Sequence, residues 1–459
     1  MRYVLADNVA LRSWKLVPYA YYVREETYAR GLTEAEFDRL LLCDGGHELA
    51  EDGLMRDLVD RGLARVAGEG EGLSEWQGRL VCPNRYFARL FWSITERCSY
   101  RCLHCYNAAD ESDGTAEFAW EECQDLVAQA AACGIHKVKL TGGEPLAHPR
   151  FLDIVRDIHA HGMSVDRIYT TGELLTTETL DELRAVGSRP VFKVSFDGVG
   201  CHDWLHQAPG AGERTLAAMR LAREAGFRVV AVLNANRRNA PRLLETARLL
   251  NGMGVDGLQI TRTTESPRWR SLAPGCSLGP EEYFDAMLEL ADGYLSCGDR
   301  MPIEMWSFLN LDPATVLERR PAFPEGEEGT ADSWDKRPVC RSNRSMVGVA
   351  ATGELVPCLT MTGLLRRRGI SFGNVRDTPL AELLSEGPYL EEACRTMGRF
   401  RKDNPGCDAC PHYVSCLGGC PALALALSGD IRASDPTSCA FFKGEYARRR
   451  EDVLERHRG

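Results

Sequence analysis

SITERCSYRCLHCYNA, at residues 93–108, contains three closely spaced cysteines, Cys98, Cys102 and Cys105. Thiolates at this C-x3-C-x2-C spacing can hold three irons of a cubane and leave the fourth iron open to a small molecule. A structural zinc site normally takes four protein ligands, and a redox dithiol takes two. The spacing therefore favours an iron–sulfur cluster with one open iron.

Strand-like and helix-like runs alternate on the C-terminal side of Phe87. The predicted strands cover 87–95, 136–142, 166–172, 191–198, 228–236 and 257–262. The predicted helices cover 120–133, 150–161, 176–187, 213–226 and 240–254, and Thr176 or Thr177 is the expected N-cap of the third. Repeated strand–helix units predict an α/β fold with a parallel sheet and outer helices. Such folds bind ligands at the C-terminal ends of their strands.

Polar residues and glycines stand at those strand ends. LTGGEPLAHP (140–149) follows the second strand, and SFDG (195–198) ends the fourth. Glycines let a backbone come close to a ligand, and a carboxylate suits an ammonium group. Asp197-Gly198 is equally suited to a plain tight turn.

The cysteine spacing, followed one strand–helix unit later by GGEP, resembles the signature of radical S-adenosylmethionine (radical SAM) enzymes. The resemblance implies a partial (β/α)6 barrel and a 4Fe–4S cluster on Cys98, Cys102 and Cys105, with S-adenosylmethionine on the open iron. His104 occupies the slot where the family usually has an aromatic ring. The implied cofactor contacts are Gly142, Gly143, Glu144, Pro145, Thr171, Ser195, Asp197, Asn234 and Arg262. The resemblance identifies no catalytic acid or base.

A second cysteine array follows residue 339. It comprises Cys340, then Gly353-x4-Cys358, then Cys407-x2-Cys410-x5-Cys416-x3-Cys420, and Cys439. The array resembles the SPASM domain of peptide-modifying radical SAM enzymes, and zinc is the main rival. The resemblance implies two auxiliary 4Fe–4S clusters, three clusters in all. One would be held by Cys407, Cys410, Cys416 and Cys439, and the other by Cys340, Cys358 and Cys420.

The second of these clusters lacks an obvious fourth ligand. Relatives have a further cysteine about six residues before Cys340, where this chain reads SWDKRPVC. The alternatives are an open iron, Asp335 or Asp332, or the distant Cys297.

The first 85 residues have a different pattern. Short β-like runs precede two helix-like runs, LTEAEFDRLLLCDG and LMRDLVDRGLARVAG. This order resembles the winged-helix-like α+β module with which ribosomal-peptide maturases bind a leader peptide at a sheet edge. A purely structural extension is the alternative.

Bulk composition sets further limits. The chain has 459 residues, 18 cysteines and a formal net charge of −11, which argues against general nucleic-acid binding. It shows no secretory signal and no run long enough to span a membrane, so we expect a cytoplasmic protein. Without export, so many cysteines favour metal binding over disulfides.

The domain order implies the function. Residues 1–85 would recognise a leader peptide, 86–300 form the radical SAM barrel, and 301–459 form the SPASM domain. This order resembles sactipeptide and ranthipeptide maturases. It implies an enzyme that uses a 5′-deoxyadenosyl radical to form a thioether in a precursor peptide, with a flavodoxin or ferredoxin as electron donor.

Other functions stay open at this point. Within the family, the product could be a carbon–carbon or ether cross-link, or an epimer with Cys276 or Cys297 as hydrogen donor. Leu359 stands where sulfatase-maturing relatives place an acidic base, which counts against that activity. A small-molecule radical SAM enzyme and a non-catalytic iron–sulfur or zinc protein that binds a peptide are further alternatives.

Overall fold

The first 81 residues form two small sheets and two helices. The computed structural model describes residues 1–106, 115–312, 335–340 and 342–457. The elements of this first region are β1 (Arg2–Leu5), β2 (Val9–Trp14), β3 (Val17–Val23), β4 (Arg30–Gly31), α1 (Glu34–Leu41), β5 (Asp44–Glu48), α2 (Gly53–Asp60), β6 (Ala64–Val66) and β7 (Leu80–Val81). Strand order is β5-β1-β6 in one sheet and β4-β3-β2-β7 in the other. The winged-helix comparison and the leader-binding role stay predictions.

This N-terminal module has its own apolar core and is joined to the barrel. Phe37 and Leu40 of α1 pack in that core with Met55 and Leu58 of α2. Outside the core, the indole nitrogen of Trp14 donates to the Cys133 carbonyl at 3.0 Å. The Trp14 side chain of β2 therefore joins the module to the C-terminal end of the barrel helix Trp120–Ala132.

The barrel elements follow the predicted alternation. They are β8 (Arg89–Ser93), α3 (Trp120–Ala132), β9 (Lys137–Thr141), α4 (Phe151–Ala160), β10 (Ser164–Thr170), α5 (Thr177–Ala185), β11 (Val191–Ser195), α6 (His202–His206), α7 (Ala211–Glu224), β12 (Val229–Ala235), α8 (Leu243–Gly252), β13 (Gly257–Arg262), α9 (Pro267–Leu272), α10 (Pro280–Ser296), β14 (Ile303–Met305) and β15 (Leu309–Leu311). The prediction of six strands, each followed by helical structure, is confirmed. Thr176 is the N-cap of α5, and its side chain accepts from the Thr179 N–H.

The remaining elements surround the second cysteine array. They are β16 (Met346–Val349), β17 (Leu355–Val356), α11 (Thr362–Arg367), α12 (Leu380–Leu383), α13 (Met397–Asp403), α14 (Pro405–Asp408), α15 (Tyr413–Cys416), α16 (Pro421–Ser428), α17 (Pro436–Lys443) and α18 (Tyr446–Arg456). The Pro/Gly/Glu-rich run predicted as a linker lies almost wholly outside the described residues. No helix in the described ranges is long and apolar enough to cross a bilayer.

One sheet of ten strands forms the centre of the protein. Its order is β15-β14-β13-β12-β11-β10-β9-β8-β16-β17, and the strands from β14 to β16 in that order are parallel. β14 and β16 follow residue 300, so the proposed third domain contributes strands to the barrel sheet. The domain boundaries themselves stay predictions.

Helical periodicity explains how the outer layer covers the sheet. In α4, Phe151, Ile154, Val155 and Ile158 are buried, at the i, i+3, i+4, i+7 spacing of one helix face. Every residue of β9 is buried, as expected for a strand covered on both sides. This covered parallel sheet brings the loops that follow β8 to β13 to one end of the barrel.

Candidate functional site

The cysteine loop follows β8 at this end of the barrel. The Cys98 sulfur accepts from the Tyr100 N–H at 3.4 Å, and the Cys102 sulfur lies 3.1 Å from Nδ1 of His206. Burial, with smaller contributions from the charges of Glu144 and Cys105, raises the pKa of Cys98 to about 11. Burial and charges on Cys105 and Cys98 raise the pKa of Cys102. The three sulfurs thus lie close enough to interact as charges, which fits three ligands of one cluster.

The GGEP turn packs directly against the cysteine loop. A Cβ on Gly142 would lie 2.4 Å from the Thr95 oxygen, and one on Gly143 would lie 2.4 Å from the oxygens of Glu96 and Arg97. The Gly143 N–H donates to Thr95 and the Glu144 N–H to Arg97, at 2.7 and 2.8 Å. The two glycines therefore allow one loop of the site to hold the other.

Glu144 is completely buried and its carboxylate accepts four hydrogen bonds. Oε1 accepts from the Thr170 hydroxyl at 2.8 Å and the Leu146 N–H at 3.2 Å. Oε2 accepts from the N–H and the hydroxyl of Thr171, both at 2.8 Å. Burial raises the pKa of Glu144 although these bonds oppose the shift. Thr171 therefore contacts Glu144. The Glu144 carboxylate anchors the turn after β9, and a short 3-10 helix begins at Pro145.

The remaining predicted contacts lie at neighbouring strand ends. Ser195 ends β11 and is half-buried. Asn234 donates from its N–H and Nδ2 to Oδ1 of Asp197 at 2.6 and 3.3 Å. Arg262 donates to the Leu278 carbonyl and to the Thr437 hydroxyl, both at 3.1 Å, and burial lowers its pKa. The structure thus brings these residues to one end of the barrel, while their contacts with a cofactor stay predictions.

A buried group of histidines, which was not predicted from the sequence, lies beneath the cysteine loop. His206 Nε2 lies 2.7 Å from Oδ2 of Asp197, and the His202 ring stacks on His206 with centroids 4.0 Å apart. Burial opposes ionisation of Asp197, but the hydrogen bond from His206 holds its pKa below the usual range. Burial lowers the pKa of His104 to about 4 and that of His202 to about 3. The only local signal was the His-x3-His spacing just after SFDG.

Asp197, His202 and His206 also have the geometry of a metal site, since their ligand atoms lie within 4.8 Å of one another. Protein groups already use these atoms, however. Nδ1 of His202 accepts from the Asp197 N–H at 3.1 Å, and its Nε2 lies 3.3 Å from the Thr215 hydroxyl. The group is therefore a hydrogen-bonded network.

An open cavity of about 660 Å³ leads from the cysteine loop toward the second array. Cys105 and Tyr106 line its inner end, and burial raises the pKa of Tyr106, with further increases from charges on Cys105 and Cys358. Arginines from both halves of the protein line the remainder: Arg262, Arg270, Arg367 and Arg368. The cavity therefore lies between the cysteine loop and the segments that follow Cys358 and Cys420, represented in its lining by Thr360 and Leu423.

The second array divides into two groups of cysteines. Cys407, Cys410, Cys416 and Cys439 line one small cavity. Burial raises the pKa of Cys420, and charges on Cys340 and Cys358 raise it further, so these three lie together. None of the 18 cysteines, all of which lie in the described residues, forms a disulfide. The grouping has the chemistry of two cluster sites, one with four thiolates and one with three.

Two of the suggested fourth ligands are placed by the structure, and Asp332 lies outside the described residues. Asp335 accepts from Arg401 at 3.1 Å. Cys297 ends α10, shortly before the start of β14, at the barrel end opposite the cysteine loop. This position argues against Cys297 as the hydrogen donor, and its suggested role as fourth ligand of the auxiliary cluster stays a prediction. Cys276 packs near Leu103 of the cysteine loop.

The family models settle the identity of the two cysteine regions. Residues 92–250 match the radical SAM superfamily, and residues 340–411 match the SPASM iron–sulfur cluster-binding domain. The chain contains a radical SAM domain and a SPASM domain. It is therefore an enzyme with a 4Fe–4S cluster that binds S-adenosylmethionine, and its SPASM domain binds auxiliary iron–sulfur clusters.

Sequence relatives of this radical SAM enzyme have several activities. The AdoMet-dependent heme synthase of Methanosarcina barkeri is 25% identical over 75% of this chain and 94% of its own length. Mycofactocin maturase MftC of Mycobacterium tuberculosis is 26% identical over 80% of this chain and 87% of its own length. PqqA peptide cyclase of Granulibacter bethesdensis is 25% identical over 76% of this chain and 86% of its own length.

Solved structures share the fold. Streptococcus suis SuiB bound to precursor peptide SuiA superposes with a TM-score of 0.66 and 12% identity, covering 95% of this chain and 99% of SuiB. The enzyme anSMEcpe with AdoMet and the Cp18Cys peptide superposes with a TM-score of 0.58 and 16% identity, covering 80% of this chain and 99% of anSMEcpe. The predicted fold class, a radical SAM barrel with a SPASM domain, is confirmed.

Proposed function

We propose that this enzyme modifies a ribosomally made precursor peptide by forming a thioether between a cysteine sulfur and a carbon. The observation that carries the peptide substrate is the superposition on SuiB bound to its precursor peptide, which extends over 95% of the chain and so includes most of the N-terminal module. The choice of a thioether rests on the group of only three cysteines, Cys340, Cys358 and Cys420, which leaves a ligand position for a substrate thiolate. Two of the sequence relatives quoted above are a peptide cyclase and a mycofactocin maturase. The exposed edge strand β5 of the N-terminal module gives a leader peptide a place to add a strand.

Residues of the barrel end would hold the cofactors. Cys98, Cys102 and Cys105 bind the cluster, and the GGEP turn shapes the adjoining S-adenosylmethionine site. When bound, these groups supply a 5′-deoxyadenosyl radical that removes a hydrogen atom from the substrate. Tyr106 and the cavity walls position the substrate and limit water, because proximity and exclusion of water govern where a radical reacts.

The SPASM cysteines would serve the second half of the reaction. Cys407, Cys410, Cys416 and Cys439 hold one auxiliary cluster, and Cys340, Cys358 and Cys420 hold the other. A site with only three thiolates can accept a substrate thiolate as its fourth ligand. Such a ligand would place the substrate thiolate beside the cavity, and the auxiliary cluster would accept the one electron released when the carbon radical and the sulfur form the thioether bond.

A small-molecule substrate is the second candidate. The heme synthase relative and a cavity of about 660 Å³, a size common for small-molecule sites, favour it. Under this alternative the N-terminal module has no role in substrate recognition.

The test starts with anaerobic reconstitution and a flavodoxin or ferredoxin as reductant. Cysteine-containing peptides from short reading frames beside the gene are added with S-adenosylmethionine, and mass spectrometry follows 5′-deoxyadenosine and the peptide. A thioether removes two hydrogen atoms and protects the cysteine from alkylation. The matched control is the Cys98→Ala, Cys102→Ala, Cys105→Ala variant, which should form neither product.

Other outcomes separate the alternatives. Loss of two hydrogens with the cysteine still alkylated indicates a carbon–carbon or ether cross-link. Deuterium uptake from heavy water without loss of mass indicates an epimerase. Cofactor cleavage stimulated by a tetrapyrrole and by no peptide would contradict the proposal, and iron binding without any cleavage would favour a binding protein.

A further inference from the structure

The cavity that begins at Cys105 has a positively charged wall, although the formal net charge of the chain is −11. Glu265 is the one carboxylate that the described residues place in this lining. Two regions of the chain contribute arginines to it: Arg262, Arg270, Arg367 and Arg368. A cleft lined mainly by one sign of charge raises the local concentration of ligands of the opposite sign.

Neutral groups hold two of these arginines in place. Arg262 donates to the Leu278 carbonyl and to the Thr437 hydroxyl, both at 3.1 Å. Arg368 donates to the Gly429 carbonyl at 2.9 Å. Because carbonyl and hydroxyl oxygens carry no net charge, these contacts fix the guanidinium groups without cancelling their charge.

The carboxylate of Glu265 is shared between two donors. Its Oε2 accepts from Nε of Arg270 at 3.2 Å, and its Oε1 accepts from the Ser277 hydroxyl at 2.6 Å. The Arg270 side chain is 68% exposed, so a ligand can reach its remaining N–H groups. A guanidinium has five N–H donors, and a single contact through Nε leaves the two terminal nitrogens for a ligand.

Arg270 and Arg367 lie where this cavity adjoins a second one. The second cavity has a volume of about 430 Å³, is more open to solvent, and is lined by Glu265, Pro267, Arg270, Ser271 and Arg367. Arg270 belongs to α9 and Arg367 ends α11, and both residues line the two cavities. A substrate that enters through the second cavity therefore passes two guanidinium groups before it reaches Cys105.

We propose that Arg270 and Arg367 bind carboxylate groups of the substrate and make this cavity selective for acidic substrates. The planar guanidinium fork matches a carboxylate with two parallel hydrogen bonds, and carboxylates are the anions that an unmodified peptide carries. The inference rests on the proposed function, in which these carboxylates belong to Asp or Glu residues close to the modified cysteine. A small molecule with carboxylate groups has the same chemistry, and the test separates the two sources.

The test measures binding to the reconstituted full chain by fluorescence anisotropy. One probe is a short labelled peptide with a cysteine and several glutamates, and its partner has glutamines in their place. The wild type should bind the glutamate peptide about tenfold more tightly, because the glutamine peptide lacks the charged acceptors. The Arg270→Gln, Arg367→Gln variant should bind both peptides equally. The Arg270→Lys, Arg367→Lys variant keeps the charge without the fork and should retain part of the preference.

A matched control removes two positive charges elsewhere. Arg184→Gln, Arg448→Gln alters exposed arginines of α5 and α18 that lie outside both linings, and this variant should keep the full preference. The iron content of each variant verifies that it has assembled. A porphyrin with several carboxylates and its methyl ester form a second pair of probes for the small-molecule source.

Each outcome decides the inference. A preference for the acidic probe that depends on Arg270 and Arg367 supports it, and the pair of probes that shows the preference identifies a peptide or a small molecule as the source. Equal binding within both pairs, or a preference that survives both arginine variants, would overturn it. Binding requires no turnover, so a preference for the glutamate peptide without thioether formation in any peptide would contradict the proposed function alone.

Discussion

At the scale of single residues, Glu144 shows how a motif side chain can serve the fold as well as the cofactor. Its four acceptor positions are all used by protein donors, two of them from Thr171. We expect Glu144→Gln to lower the free energy of unfolding by about 1–3 kcal/mol, because the new NH2 group faces a donor in a buried site. Affinity for S-adenosylmethionine should fall with it, since the turn loses its anchor.

Thermal unfolding and anaerobic calorimetry with S-adenosylmethionine measure the two effects. Thr170→Val is the comparison variant, because it removes one donor to Glu144, together with the acceptor of the Gly172 N–H, and leaves the carboxylate in place. This variant should lose about 1–3 kcal/mol of stability and bind the cofactor more tightly than Glu144→Gln does. A Glu144→Gln variant as stable as the wild type would show that the four hydrogen bonds do not hold the turn.

The sequence could predict single motifs but not how they meet. Cys98, Cys102 and Cys105 follow one another closely in sequence, and GGEP comes one unit later, so local spacing was enough to identify them. His206 reaches Cys102 across a sequence separation of 104 residues. That contact depends on how β11 and α6 pack under the loop, and no local pattern encodes it.

At the scale of elements, the turn after β9 supports the loop after β8. Gly143→Ala would place a Cβ 2.4 Å from the oxygens of Glu96 and Arg97, which are backbone atoms next to Cys98. The loop must move to relieve this contact, so we expect loss of the radical SAM cluster while the auxiliary clusters remain. Iron analysis and electron paramagnetic resonance with and without S-adenosylmethionine measure the loss.

Gly252→Ala is the matched control for this variant. Gly252 ends α8, and a Cβ there would meet no other atom within 4 Å. The control should keep its full complement of iron. Equal cofactor-dependent signals in both variants would mean that the loop tolerates the displaced backbone.

Elements also differ in how well the sequence predicts them. The six strands from β8 to β13 could be predicted because each is followed by helical structure with a clear periodicity and turn signals. β16 has four residues and pairs with β8, with Met346 opposite Arg89. A strand of four residues has little local sequence pattern by which to predict it. The pairing of β16 with β8, which lie far apart in the sequence, depends on the whole fold. The local sequence pattern therefore did not predict that residues after 300 add strands to the barrel sheet.

At the scale of the whole molecule, this shared sheet predicts which parts can fold alone. A fragment of residues 1–300 lacks β14 and β16, so both edges of the barrel sheet, β13 and β8, would be open. Open edges with buried apolar residues such as Trp92 promote aggregation. We expect this fragment to be insoluble, as measured by sedimentation and size-exclusion chromatography.

A fragment of residues 86–459 keeps every strand of the ten-stranded sheet and loses only the N-terminal module. We expect it to be monodisperse, to bind iron and to cleave S-adenosylmethionine, because the cysteine loop and the GGEP turn are intact.

If the module binds the leader, the affinity of the 86–459 fragment for a full precursor peptide should be at least tenfold lower than that of the full chain. A leaderless core peptide should bind to the fragment as it does to the full chain. A soluble fragment of residues 1–300 that assembles the radical SAM cluster would contradict the expectation that the barrel needs β14 and β16. Unchanged affinity of the 86–459 fragment for the precursor peptide would contradict only the leader-binding role of the N-terminal module.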